Sequence, residues 1–127
     1  MTVGQIKNLV MFQTNNDAED VGDFQPALLG YINEGYDKLV HARTGRHLLP
    51  TDEAYRPLSW DNDTPNLPEH AHKAIADWAT WSIYRNGNPQ KQQRGYVFRS
   101  AFEEMVSTLQ SEGESNEPAP KHFYNIP

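Results

Sequence analysis

Apolar residues recur at helical spacing in four stretches of the chain. Val3, Ile6, Leu9 and Val10, with Phe12 behind them, make the first. Leu28, Leu29, Ile32, Tyr36, Leu39 and Val40 make the second, Ala71, Ala74, Ile75 and Trp78 the third, and Val97, Phe98, Ala101, Phe102, Met105 and Leu109 the fourth. Spacings of three and four residues place each set on one side of a helix. Thr2 with Gln5 three residues on predicts a capping box for helix one, and the pattern stops at Thr14-Asn15-Asn16. Helix two is predicted to start after Asp23, with Pro26 in its first turn and Gly45 as a left-handed terminator. Helix three is predicted from Pro68 to Asn86, where Gly87 stops it. Asn88-Pro89 then reads as the cap and first position of helix four, which ends near Gly113 and has a weak point at Gly95.

Between helices two and three the text changes. From Arg46 to Asn66 it holds Pro50, Pro57 and Pro65 with scattered Leu48, Leu49, Tyr55, Leu58 and Trp60, and no helix fits. A loop of that length inside a compact domain is usually functional or docked, so Tyr55 and Trp60 are expected to anchor it to a core or a neighbour. The expected fold is therefore all-α: a small bundle of about four helices over residues 1–112, a long irregular loop at 46–66, and an extended arm at 113–127.

Composition narrows the function. The 127 residues carry 17 Asp+Glu, 11 Lys+Arg and a formal charge of −6, with no cysteine. A chain of this length ordinarily holds one core. The absence of cysteine removes disulfides, thiolate metal sites and thiol catalysis. The acidic balance argues against sequence-independent binding to phosphate backbones, which needs clustered cations. No run of about 20 apolar residues is present to span a membrane, and the opening Met1–Gln5 is not a signal peptide, so a soluble, non-secreted protein is expected.

Candidate chemistry is sparse. His70-Ala71-His72 is the one close histidine pair, but residues two apart diverge by about 200° on a helix, so solvent-exposed or capping roles are expected. Asp61-Asn62-Asp63-Thr64 echoes the start of a calcium loop but lacks its glycine and closing glutamate; a turn held by Asx hydrogen bonds is the simpler expectation. The carboxylates Glu103 and Glu104 are adjacent and point apart. No phosphate-gripping glycine loop or nucleophile elbow occurs. The expectation is a protein that is not an enzyme and uses no cofactor or metal.

Charge is unevenly distributed. From Asp17 to Asp37 there are six acids, Asp17, Glu19, Asp20, Asp23, Glu34 and Asp37, and no Lys or Arg. From Trp78 to Phe102 there are Arg85, Lys91, Arg94 and Arg99 and no acid. Two arrangements use this asymmetry: a head-to-tail contact between copies, in which Asp17, Glu19 and Asp20 meet Lys91, Arg94 and Arg99, or pairing of helix two with helix four in one chain. Lys91 and Arg94 in the first turns of helix four oppose its dipole, which favours an external acidic partner. The chain end Lys121, His122, Phe123, Tyr124, Asn125, Ile126, on a Pro-containing tether, has the form of a docking peptide; the other option is that it folds back on its own domain.

The words Val3–Asn16, Gly22-Asp23-Phe24, Leu28–Leu39, Leu67-Pro68-Glu69, Ala74–Trp81 and Tyr84–Gln92 resemble those of the small head-to-tail connector (adaptor) proteins of tailed bacteriophages, over residues 2–110. The resemblance implies a helical virion subunit, assembled in the bacterial host cytoplasm, of which about twelve copies form a homo-oligomeric ring. Such a ring lies between the portal protein and a tail-side stopper or tail-completion protein, and double-stranded DNA passes through it transiently. It implies no membrane and no catalytic residues. Lumen carboxylates would repel passing phosphates, which suits the acidic charge. Under this reading Tyr55, Leu58 and Trp60 are expected at subunit contacts, and Lys121, His122, Phe123, Tyr124 and Ile126 dock on the portal or a neighbour. The alternative is a cytosolic helical binding module that engages a partner through its aromatic tail.

Overall fold

The computed structural model describes the backbone of residues 1–14 and 18–116 and the side chains of 1–14 and 26–113. Within them the protein is all-α: α1 (Val3–Gln13), α2 (Ala18–Thr44), a 3₁₀ turn (Glu69–Ala71), α3 (His72–Tyr84) and α4 (Pro89–Asn116), with no strand among the described residues. No helix among them is long and apolar enough to cross a membrane.

The helices alternate in direction. Met1 sits at His72 and Gln13 at Thr80, so α1 and α3 run the same way. Gly35 packs on Trp78 while the Arg43 carbonyl meets Gly113, so α2 and α4 run together and against α3. α3 is the axis of the bundle and touches all three other helices. Its short, mostly apolar side chains allow that: Ala74, Ile75, Ala76 and Ala79 are buried together with Thr80, Ser82 and Ile83. Around it close Val3, Ile6 and Val10 from α1, Leu28, Ile32, Tyr36, Leu39 and Val40 from α2, and Phe102 and Leu109 from α4. These are the positions the periodicity assigns to the core. Phe12 and Val97 are exceptions, at 72% and 65% exposure.

Two helix crossings depend on a missing side chain. A Cβ on Gly35 would lie 2.9 Å from the Trp78 Cβ, and one on Gly95 would lie 2.8 Å from the Trp81 ring and 2.9 Å from the Tyr84 Cβ. All three distances are below van der Waals contact, so the helices approach as they do only because these residues are glycine. Gly113 plays the same part where α4 meets the Arg43 carbonyl. α4 continues past Gly113 to Asn116, so this glycine marks a helix contact and not the helix end. Gly45 does terminate α2, with φ 77° and its N–H donating to the His41 carbonyl at 2.8 Å.

The start of α2 also differs from expectation. The helix begins at Ala18, so Asp23 is not its cap and Pro26 lies inside it instead of in its first turn. Pro68 likewise precedes a 3₁₀ turn, with α3 proper beginning at His72. At α4 the expected cap is present, the Asn88 side chain accepting from the Lys91 N–H at 2.9 Å.

The irregular segment 46–66 is built into the bundle. Asn33 holds Leu58 from both sides, its amide donating to the Leu58 carbonyl at 3.0 Å and its oxygen accepting from the Leu58 N–H at 2.8 Å. The Tyr36 hydroxyl accepts from the Asn66 N–H at 2.8 Å, and burial pushes this phenol's pKa up. At the start of α1 the Thr2–Gln5 capping box forms as expected. The Val3 and Gly4 N–H groups, which a helix cannot satisfy internally, donate to the Asp63 and Asp61 carbonyls, each at 2.9 Å. The loop therefore completes the cap of α1.

Candidate functional site

His72 shows how local reading and packing part company. It is 2% exposed, with Nε2 2.8 Å from the Leu67 carbonyl and Nδ1 2.8 Å from the Met1 amine. A carbonyl only accepts, so Nε2 carries the proton and Nδ1 takes the ammonium hydrogen. The expectation of an exposed histidine thus fails for His72, which instead closes the 3₁₀ turn as its C-cap and joins nearby Leu67 to the distant Met1. His70 remains half exposed and pairs with Glu112 at 2.9 Å, beside Arg43 at 3.4 Å from the same carboxylate. The two histidines do not converge. Among the described residues no three His, Asp or Glu side chains gather as a metal site.

The Asp61–Thr64 segment is a turn. Asp63 Oδ2 accepts from the Ser59 and Trp60 N–H groups at 2.8 and 2.9 Å, and these bonds, Trp60 first, hold its carboxyl below the usual carboxylate range. Asp61 pairs with Lys7 at 2.9 Å. Farther back, Asp52 accepts from the Tyr55 and Ala54 N–H groups, which lower its pKa in the same way, and it pairs with Arg46. Acidic side chains fasten this loop by binding its own backbone.

Of the three loop residues expected at subunit contacts, Leu58 is buried in its own chain at 5% exposure. Tyr55 is half-buried, with the Arg46 guanidinium 5.2 Å from its ring. Trp60 differs: it is 70% exposed on the braced turn and borders a depression of about 510 Å³ that also includes Arg56 and Asp63. Leu49, elsewhere in the loop, and Tyr96 and Val97 on α4 are further exposed apolar side chains.

The charge pattern divides. Glu34 reaches Arg85 within the chain at 3.9 Å, and Asp37 turns to His47 at 3.1 Å and the Leu48 N–H at 2.8 Å. Arg99 pairs along its own helix with Glu103 at 3.7 Å. Among the described residues α2 is joined to α4 by the ion pair of Arg43 with Glu112, whose polarity is opposite to the expected one. Arg94 is exposed and Lys91 half-buried. The side chains of Asp17, Glu19 and Asp20, and the whole of Lys121, His122, Phe123, Tyr124 and Ile126, lie outside the described residues.

A second and wider depression among the described residues lies outside what the sequence pattern predicts. α1 lies on one side of α3, while α2 and α4 flank the other and leave a furrow of about 750 Å³ floored by Trp78 and Trp81. Trp78 packs over Gly35, sits 4.9 Å from the Phe102 ring, and donates its indole N–H to Glu34 at 3.1 Å. Lys38 and Arg85 lie over its ring at 5.0 and 5.5 Å, and Arg99 lies over Trp81 at 5.5 Å. Cations over indole faces are stabilised by the ring quadrupole. Tryptophans facing a furrow among cations suit the binding of rings and extended peptide. The periodicity treats Trp78 as core, because spacing identifies the face of a helix but not whether a neighbour closes over it.

Comparison with protein-family models, with curated proteins and with solved structures finds no match for the chain. By itself the structure is an all-α bundle with a braced loop and an aromatic furrow.

Proposed function

We propose that this protein is a structural subunit of a tailed-bacteriophage head-to-tail connector, a ring-forming adaptor that joins the portal to the tail side and lines part of the DNA conduit. The observation that carries the reading is Trp60: a large apolar ring held in solvent by a turn whose backbone is fixed at Asp61, Asp63 and Leu58. Tryptophan is among the residues enriched at interface hot spots, and on a backbone already fixed less conformational freedom is lost when a partner covers it. The helical bundle with its long docked loop, the word resemblance over residues 2–110 and the acidic charge support the same reading. In it, copies meet head to tail, the segment Asp17–Asp20 of one facing Lys91 and Arg94 of the next.

The test is negative-stain imaging with mass measurement of the purified chain, alone and mixed with a candidate portal. Rings with a central channel are expected in the mixture. A persistent monomer in both samples would refute the reading and leave the alternative of a helical binding module.

A further inference from the structure

The furrow between α2 and α4 does not end at the tryptophans. A shallower depression of about 520 Å³ continues it along the same two helices, shares His41, Ala42, Ser107 and Gln110 with it, and reaches Gly45 and Gly113. One track therefore runs from the last turns of α4 to the Trp78 ring. α4 is described as far as Asn116, three residues beyond the Gly113 end of that track, and residues 117–127 follow in the sequence.

We infer that the furrow is the seat of the chain's own C-terminal segment, Lys121–Ile126, bound within the same molecule. Reach permits it. Phe123 is seven residues past Asn116, about 22–25 Å at the 3.1–3.6 Å per residue of extended chain, and Pro118 and Pro120 favour extension. Val106 and Phe102, ten and fourteen residues back along α4, lie about 15–21 Å from Asn116 at 1.5 Å per residue. A reversed, extended tail thus brings Phe123 and Tyr124 level with the aromatic part of the furrow.

The chemistry matches as well. Arg85 and Arg99 keep 39% and 48% exposure while covering tryptophan faces, so their outer faces are open to a second ring. Lys121 precedes the two rings and reaches only as far as the stretch of α4 that carries Glu103, beside Asp37 of α2. The segment Lys121–Ile126 contains no acid that would repel these carboxylates. A tether this short also supplies a local concentration in the millimolar range, so modest affinity is sufficient. The inference is independent of the connector reading, since it concerns the lone chain.

The lack of cysteine and the three tryptophans make the test direct. A nitroxide is attached to Asn125→Cys in the full chain, and the indole N–H signals are compared with the label oxidised and reduced. Docking predicts selective loss of the Trp78 and Trp81 signals, while Trp60, on the loop outside the furrow, keeps its intensity. Adding Phe123→Ser and Tyr124→Ser should restore both lost signals, with an unchanged urea midpoint showing that the bundle itself is intact. Equal, weak attenuation of all three tryptophans would overturn the inference, as would loss that survives the double substitution. So would loss that appears only when spin-labelled chain is mixed with isotope-labelled, nitroxide-free chain, because the segment would then occupy another copy.

Discussion

The same substitution, Gly→Ala, should stabilise the chain at Gly30 and fail to do so at Gly95. Both residues lie inside long helices, and both gain from the better helix propensity of alanine, about 0.8–1.0 kcal/mol in a helix interior. At Gly30 a new Cβ meets nothing within 4 Å, so that gain should appear nearly undiminished. At Gly95 the Cβ would stand 2.8 Å from the Trp81 ring and 2.9 Å from the Tyr84 Cβ. Neither atom belongs to a flexible chain end; the Trp81 ring is itself stacked on Tyr96 at 5.2 Å. Relief therefore requires α3 and α4 to separate, and overpacking of this kind costs about 1–3 kcal/mol. Subtracting the propensity gain leaves Gly95→Ala roughly neutral to about 2 kcal/mol destabilised, against about 1 kcal/mol of stabilisation for Gly30→Ala. Urea unfolding followed by helical circular dichroism, with the slope of the transition checked for constancy, measures the difference. Equal shifts of the two midpoints in the stabilising direction would refute the close approach of α3 and α4 at Gly95.

Asn33→Ala removes both hydrogen bonds to Leu58 and should destabilise the chain by about 1–3 kcal/mol, with faster amide exchange through the loop in mass-spectrometric exchange. Asp52 and Asp63 have pKa values below those of the unfolded chain. Their stabilisation is therefore fully present above about pH 4 and is lost as pH falls through the lower folded values. Trp60 fluorescence in a Trp78→Phe, Trp81→Phe background should accordingly hold steady down to about pH 4 and change below it. Trp60→Ser should shift stability by no more than about 0.5 kcal/mol, as for other exposed positions, while lowering the yield of rings with portal in the imaging assay.

The parts of the fold set by neighbours in sequence were legible. The Thr2–Gln5 box, the Gly45 terminator and the Asn88-Pro89 start of α4 each depend on residues within a few positions, and each is present. The apolar stripes of α1 and α2 likewise identify the buried positions. Errors arose where one residue type answers to two physical roles. Aspartate followed by Pro26 satisfies the local preferences of a helix start, yet α2 begins five residues before Asp23. Gly113 has the marks of a stop but serves a helix contact. His72 and the 46–66 loop owe their order to Met1, Asn33 and Tyr36, partners no local pattern reveals. The furrow was invisible for a related reason, since a stripe of apolar residues looks the same whether a fourth element covers it or leaves it open.

The capping of α1 by the loop carries a consequence for how the molecule opens. The Val3 and Gly4 amides are held by carbonyls of Asp63 and Asp61, some sixty positions along the chain, and Lys7 holds Asp61 from the next turn. α1 therefore cannot fray from its first turn without releasing the loop, nor can the loop lift at Asp61 without uncapping α1. The two behave as one cooperative unit, opening and closing together at a free energy set by their joint contacts. A partner that grips the loop at Trp60 thereby also clamps the first helix, on the far side of α3 from the furrow, and restrains a large part of the bundle through a single turn.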